Sequence, residues 1–395
     1  MDVTNAALPE KAADAAAVAA RPIRLLIVNS TLHIGGAEQM AATLAERLDS
    51  ARFDVRACYL KQNGLIGEQM AKAGVKLEPI PGIRAGRADY FSSLKLRRLL
   101  VSRRIDVVHT HDIHGLIDAS ICRRLLPSLR HVHTFHYGNY PRRAGRFRTI
   151  ERALWRLPDA LVAVGHEQAA NIRQSYGIPQ ERLRVLWNGV EDPARAGAPA
   201  VEDPADDGTP CIVSVSTLIG QKGLDHLLDA AARLRDGGDR FRLLIAGAGP
   251  LLETLRAQVE RLRLAEHVRF LGWVPQASSR LLPAADIFVQ SSLWEAMSIV
   301  ALEAMAAGKA MVVTSVGENP HVVVDGSTGL LVPPADAAAL AAALSRMLRD
   351  ASLRAACGAA ARDRYLERFT TRHMTTAYES LYRELATRDA PALAY

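Results

Sequence analysis

Cysteine, aromatic residues and long apolar runs are all scarce in this sequence. Its four cysteines, Cys58, Cys122, Cys211 and Cys357, are scattered over 395 residues without short-range pairs. This spacing argues against a disulfide framework or a zinc knuckle and indicates a reducing compartment. No apolar run is long enough to cross a bilayer as a helix, so we expect no membrane-spanning segment.

The N-terminal residues lack the features of a secretory signal. Residues 1–20 are rich in alanine, but acidic residues and Lys11 interrupt them. A signal peptide needs a basic start followed by a continuous apolar core, and neither is present. We therefore expect a disordered tail at 1–21 and a cytoplasmic protein.

An excess of basic residues gives the chain a formal net charge of +7. That charge suits an anionic partner such as a nucleotide diphosphate, an anionic lipid surface or nucleic acid. No motif selects nucleic acid, and we expect none to bind. The basic segments 94–104 and 141–148 are candidates for peripheral contact with an anionic membrane, although a mixed Arg/Leu segment such as 94–104 is more often a solvated helix face.

Short apolar runs alternate with helical patterns along most of the chain, which predicts an α/β protein with doubly wound parallel sheets. Residues 193–209 are rich in Pro, Ala, Gly and Asp without periodicity, and they predict a linker between two domains. The predicted domains are 22–192, which a crossover helix at 371–395 rejoins, and 210–370.

Two glutamates stand out in the segment 288–308. Glu295 and Glu303 are eight residues apart, or about 12 Å if the whole stretch is helical. Carboxylates at that separation do not share one proton or one metal ion, but they can hold opposite ends of an elongated, hydroxyl-rich ligand. The alternative interpretation is that both simply stabilise a helix dipole.

Half of the twelve histidines fall between residues 109 and 136. The pairs His109/His111 and His133/His136 could place imidazoles close together, as a metal site requires. No carboxylate or cysteine set completes the ligands, although Asp112 is adjacent, and we expect no metal. Buried core histidines are the alternative.

Polar and glycine-containing motifs follow predicted strands in both domains. They begin at Gly35-Gly36, His109, His136, Ser216, Gly247, Ser291 and Thr314. Ligands of open α/β sheets bind at the carboxyl ends of the strands. Two such edges facing each other would form one cleft, although each motif alone is also compatible with an ordinary turn.

Taken together, these motifs resemble those of retaining family 4 glycosyltransferases, which have the GT-B architecture of two Rossmann-like domains facing across a cleft. The resemblance rests on Glu295-x7-Glu303, the GGAE segment at 35–38, Lys222-Gly223, the GAGP loop at 247–250 and the segment 325–334. It covers about residues 22–390.

The resemblance implies a role for each motif. Glu303 would bind ribose hydroxyls, Lys222 would stabilise the leaving phosphate, and Glu295 would hold the sugar. His136 would contact the sugar, with His133 as the alternative. The remaining implied donor contacts are Gly35, Gly36, Thr217, Gly247, Trp273, Val274, Ala296, Met297 and Ser298. The implied acceptor-side residues are His109, His111 and His133.

Several positions depart from the family pattern. Thr217 stands where an Arg is usual, which removes one of two cations expected at the diphosphate. The other departures are Gly165 for Ser, Trp187 for Pro, Glu318 for Gly and His321 for Glu. These changes put turnover in question.

Our hypothesis is a retaining hexosyltransferase that moves a sugar from a UDP- or GDP-sugar to a glycan or lipid-linked acceptor, with no cofactor or metal. Cell-surface polysaccharide or glycolipid synthesis is the expected setting. The alternatives are a homologue that binds the donor without transfer, a nucleotide-sugar epimerase and a dinucleotide oxidoreductase. An incomplete glycine fingerprint at 247–250 disfavours the oxidoreductase.

Overall fold

The computed structural model of the protein describes residues 21–80, 91–140, 145–193 and 208–387. The predicted tail, apart from Arg21, and nearly all of the predicted linker lie outside these ranges. The start of the basic segment 141–148 and the end of the predicted crossover helix also lie outside them.

The N-terminal half is built on a parallel sheet that has seven strands within the described residues, in the order β3-β2-β1-β4-β5-β6-β7. The strands are β1 (Ile23–Thr31), β2 (Phe53–Gln62), β3 (Lys76–Pro79), β4 (Val107–Thr110), β5 (Arg130–Phe135), β6 (Ala160–Ala163) and β7 (Leu183–Val185). The helices between them are α1 (Gly36–Arg47), α2 (Leu65–Lys72), α3 (Ser92–Ser102), α4 (Ile113–Leu125), α5 (Gly145–Leu154) and α6 (His166–Tyr176).

The C-terminal half repeats the plan with a parallel sheet of six described strands, in the order β10-β9-β8-β11-β12-β13. Its strands are β8 (Cys211–Val215), β9 (Arg242–Ala246), β10 (Val268–Gly272), β11 (Ile287–Gln290), β12 (Ala310–Thr314) and β13 (Leu330–Val332). Its helices are α7 (Leu224–Asp236), α8 (Leu252–Arg261), α9 (Ala277–Leu281), α10 (Ile299–Ala306), α11 (Asn319–Val322), α12 (Ala337–Arg349) and α13 (Ala351–Arg368).

The central strands of both sheets are buried on both faces. Every residue of β4, β5, β6, β11 and β12 is buried. Helices therefore cover both sides of each sheet, as parallel sheets require, and continuous apolar runs rather than alternating ones encode these strands.

The last helix, α14 (Thr371–Thr387), returns to the N-terminal half. Its apolar stripe, which includes Met374, Leu381 and Tyr382, belongs to the same buried cluster as Leu25 and Ile27 of β1. This packing ties the two halves together, and Thr370, just before α14, forms a bridge with Val190 of the N-terminal half.

None of the helices in the described part of the chain is long and apolar enough to span a membrane.

Candidate active site

A cavity of about 1510 Å³ lies between the two halves. In each sheet the strand order reverses between the first and fourth strands of that half, at β1/β4 and at β8/β11. Loops that leave these strands contribute to the lining, including Gly35 and Asp112 from the first half and Thr217 and Ser291 from the second. The cavity therefore occupies the position where open α/β sheets bind ligands.

Glu295 and Lys222 form an ion pair in the wall of this cavity. Lys222 Nζ donates to Glu295 Oε1 over 2.5 Å, and the Glu295 residue is only 8% exposed. Ser292 Oγ donates to the same oxygen over 2.7 Å, and Gln290 Nε2 donates over 3.2 Å. These donors hold the carboxylate in one orientation, and among the described residues its second oxygen, Oε2, accepts only from Gln221 Nε2, over 3.5 Å.

The loop that carries Glu295 is not helical, so the assumption of a continuous helix over Glu295 and Glu303 is wrong. The helix α10 begins only after Ser298, whose Oγ accepts from the backbone N–H of Ala301 over 3.2 Å. Gln290 Nε2 donates to the same hydroxyl over 2.8 Å, so the end of β11 is bonded directly to the start of α10. A serine before an apolar helical run is a typical N-cap signal, and it could have located this boundary from the sequence.

Glu303 lies on α10, where its carboxylate accepts a short hydrogen bond from Ser278 Oγ. Burial raises the pKa of Glu303 to about 7, because little solvent remains to stabilise its charged form. Glu295 and Glu303 thus line one cavity from a loop and a helix, with different electrostatic environments.

Gly223 positions Lys222 at the junction of a short 3₁₀ turn and α7. Its φ of +56° is left-handed, and an added Cβ would collide with the carbonyl oxygen of Ser291. Glycine is required here both by the backbone conformation and by the close approach of the Ser291 loop.

Two histidines of the first half face the cavity as a pair. His111 Nδ1 and His136 Nε2 are 2.8 Å apart, so one nitrogen donates to the other. Burial lowers the pKa of His136 to about 4 and that of His111 well below its usual value, so both rings are neutral near pH 7. His111 Nε2 is buried and has no hydrogen-bond partner among the described residues.

His133 also lines the cavity, with its Nδ1 at 2.9 Å from Thr110 Oγ1. His109 lies within β4 and does not line the cavity. It is completely buried between Tyr382 Oη at 2.7 Å and Thr134 Oγ1 at 2.8 Å. His109 is a core histidine that anchors α14, and the structure does not bring it to the predicted acceptor side.

Comparisons with known proteins identify the family of this chain. Residues 34–192 match the family model for Glycosyltransferase Family 4, and residues 201–364 match the model for Glycosyl transferases group 1. Glycogen synthase of Mycobacterium tuberculosis is 30% identical over 308 residues, covering 75% of this chain and 73% of that protein. The chain belongs to the family 4-type, group 1 glycosyltransferases.

Two further proteins are similar to this glycosyltransferase. Phosphatidyl-myo-inositol mannosyltransferase of Mycobacterium leprae is 38% identical over 166 residues, covering 41% of this chain and 44% of that protein. The crystal structure of Anabaena Alr3699/HepE in complex with UDP has a TM-score of 0.79 at 18% identity, covering 92% of this chain and 100% of that one. The predicted GT-B fold is confirmed.

Every predicted site residue other than His109 lines the cavity of this glycosyltransferase. Gly36, Gly247 and Val274 lie at its loops, and Trp273 is 48% exposed at its edge. Their individual roles stay predictions. Further polar residues line the cavity but are not among the predicted site residues. They include Glu38, Gln221, Ser278, Gln290 and Ser292. The sequence shows each of these only as a single polar residue within or beside a motif.

Thr217 is exposed where the family pattern has an arginine. As a result, Lys222 is the only Lys or Arg among the described residues that line the cavity. The acidic Glu38, with a pKa that burial raises, lies on the opposite side in the first turn of α1. Lys222 is therefore the one fixed positive charge that the described lining offers to an anionic ligand.

Proposed function

We propose that this glycosyltransferase moves a hexose from a UDP- or GDP-sugar to a glycan or lipid-linked acceptor, with retention of configuration and without a metal or other cofactor. The observation that carries the proposal is that Lys222, Glu295 and Glu303 line one cavity between the two halves. Crystal structures of the similar protein Alr3699/HepE in complex with UDP and with UDP-glucose support the proposal.

Each residue has a role that its environment favours. Glu303 accepts hydrogen bonds from the ribose hydroxyls, and the backbone N–H groups of 296–298 hold the sugar and phosphate. Lys222 stabilises the diphosphate as it leaves, because a cation fixed where negative charge develops lowers the barrier. Glu295 already fixes Lys222 and orients the sugar, and His136 contacts its hydroxymethyl edge.

Transfer on the face from which the diphosphate departs needs no protein base. The bond from the anomeric carbon to the phosphate oxygen breaks, and the acceptor oxygen bonds to that carbon. The acceptor's proton passes to the departing phosphate oxygen. Closure of the two halves around the donor would exclude water, which competes as an acceptor.

The test is calorimetric titration of a panel of UDP-, GDP-, ADP- and dTDP-sugars with EDTA present and absent. We expect one donor base to bind in EDTA and binding to weaken in Glu303→Ala, while Glu260→Ala, on the exposed face of α8, binds as the wild type does. Failure of every nucleotide to bind would refute the proposal.

A catalytically impaired donor-binding homologue is the second candidate. It is favoured by Lys222, which alone among the described lining residues is a Lys or Arg and whose charge Glu295 already compensates. Incubation with the bound sugar nucleotide and a panel of glycan and lipid acceptors separates the two: release of nucleotide diphosphate only when acceptor is present supports transfer.

We further propose that the acceptor is met at an anionic membrane surface on the cytoplasmic side. Around α3, Phe91 is 64% exposed, Leu94 49% and Val101 52%, beside the exposed Arg97 and Arg98. Apolar side chains flanked by arginines suit the surface of anionic lipids. Flotation with anionic liposomes should fall when Arg97 and Arg98 become alanine, and unchanged flotation would remove this part of the proposal.

A further inference from the structure

A second polar cluster lies where the two halves meet, outside the cavity lining. His166 and Trp187 come from the N-terminal half, and Glu318 and His321 come from the C-terminal half. Trp187, Glu318 and His321 depart from the family pattern, and so does Gly165, which precedes His166. The structure brings these scattered departures together.

Glu318 is the centre of this cluster and is completely buried. Its Oε1 accepts from Trp187 Nε1 over 2.8 Å and from His166 Nδ1 over 2.7 Å, if that nitrogen carries the proton. Its Oε2 accepts from the backbone N–H of His166 over 2.6 Å. A Cβ at Gly165 would lie 2.5 Å from this oxygen, so glycine leaves the room that the carboxylate needs.

Two imidazoles flank the carboxylate and reach solvent. The rings of His166 and His321 lie with their centroids 5.1 Å apart, and both residues are exposed. One ligating atom from each of His166, Glu318 and His321 lies within 4.8 Å of the other two. Glu167 is also near, because its backbone N–H donates to Glu318 Oε2 over 3.4 Å.

We propose that His166, Glu318 and His321 form a site for a divalent transition-metal ion of the Zn²⁺ class that joins the two halves. Two imidazole nitrogens and one carboxylate oxygen are a ligand set that Zn²⁺ takes, with water in the fourth position. Rotation of the two exposed rings brings the ligands to the separation that a tetrahedral ion needs.

The surroundings of the carboxylate fit this role. Trp187 Nε1–H and the backbone N–H of His166 fix the orientation of Glu318, as outer hydrogen bonds do in metal sites.

The proposed metal site lies outside the donor cavity, and an ion bound there would act on the arrangement of the two halves. Because His166 belongs to one half and Glu318 and His321 to the other, a bound ion holds the halves in one relative orientation. The inference does not rest on the proposed function, since metal binding is measurable without any sugar nucleotide.

The experiment titrates Zn²⁺ into full-length protein that has been stripped with EDTA and dialysed. We compare the wild type with His321→Ala and with His226→Ala, a control in which the histidine has a carboxylate, Asp225, at 3.8 Å but belongs to no three-residue ligand group within the described part of the chain. One equivalent should bind to the wild type and the control, at least about tenfold more tightly than to His321→Ala. Equal affinity in all three proteins, or no binding to the wild type, would overturn the proposal.

Fluorescence gives a second readout that does not depend on the His321 variant. Paramagnetic Co²⁺ bound beside Glu318 should quench Trp187, and Trp187→Phe should lose that part of the quenching. Quenching that persists undiminished in Trp187→Phe would place the ion elsewhere and refute the site.

Discussion

Glu303 combines a binding role with a cost to stability, and Glu303→Gln separates the two. Burial raises the pKa of Glu303 from 4.5 to about 7. Since one pKa unit corresponds to about 1.4 kcal/mol, holding this carboxylate ionised in the folded protein costs about 3 kcal/mol. Glutamine keeps an oxygen that can accept from Ser278 but carries no charge.

The pH dependence follows from the direction of the shift. The unfolded chain loses the Glu303 proton near its ordinary pKa, and the folded chain retains it until about pH 7. Stability from this group is therefore full below the unfolded pKa and is lost as pH rises through the folded pKa. Relative to wild type, Glu303→Gln should gain nothing near pH 4.5 and up to about 3 kcal/mol above pH 7.

Denaturant unfolding of the wild type and Glu303→Gln across that pH range measures the difference, with the exposed Glu260→Gln as the matched control. A difference that does not change with pH, or that matches the control, would refute the burial argument. Nucleotide affinity should fall about tenfold or more in Glu303→Gln, because one charged acceptor for the ribose is lost. Unchanged affinity would refute the ribose role alone.

Three other substitutions test the site and its surroundings. Lys222→Gln should weaken binding of the nucleotide diphosphate by about tenfold or more, because it removes the only Lys or Arg among the described lining residues. Calorimetry at two salt concentrations measures this affinity. A small effect would indicate that backbone donors hold the phosphates. Glu295→Gln should abolish sugar transfer, while the free nucleotide diphosphate should bind equally well or more tightly because Lys222 is released from its ion pair. A parallel loss of nucleotide binding would argue against the role of Glu295 in orienting the sugar. Gly165→Ala should destabilise the protein by about 1–3 kcal/mol, because its Cβ would lie 2.5 Å from Glu318 Oε2; a thermal midpoint equal to that of wild type would show that Glu318 moves freely.

Much of the fold was predictable because each strand is encoded locally. Runs such as 25–28 and 310–313 are continuously apolar, and both proved to be buried strands. The boundaries were less accurate where a polar residue continues a strand: β4 extends to Thr110 and therefore includes His109. Periodicity cannot distinguish a buried histidine in a strand from one in the following loop.

The site was predictable in outline and not in its bonds. Spacing together with the family resemblance singled out Glu295 and Glu303, but the strand–loop–helix geometry between them includes a bond from Gln290 to Ser298 that the sequence does not show. The Lys222–Glu295 ion pair joins residues 73 positions apart, and no local pattern encodes such a contact. The expectation that no metal is used at the donor site stays a prediction.

By itself, the sequence determined the alternating α/β plan, the family and the carboxyl-end placement of the motifs, because hydrophobic periodicity and turn chemistry act over a few residues. Only the tertiary structure decided which polar groups meet. His109 became a core residue because α14 packs over β4, and Glu318 reached His166 across 152 positions because the two halves close on each other. Contacts between distant segments depend on how whole sheets and helices pack, and that is a property of the folded chain.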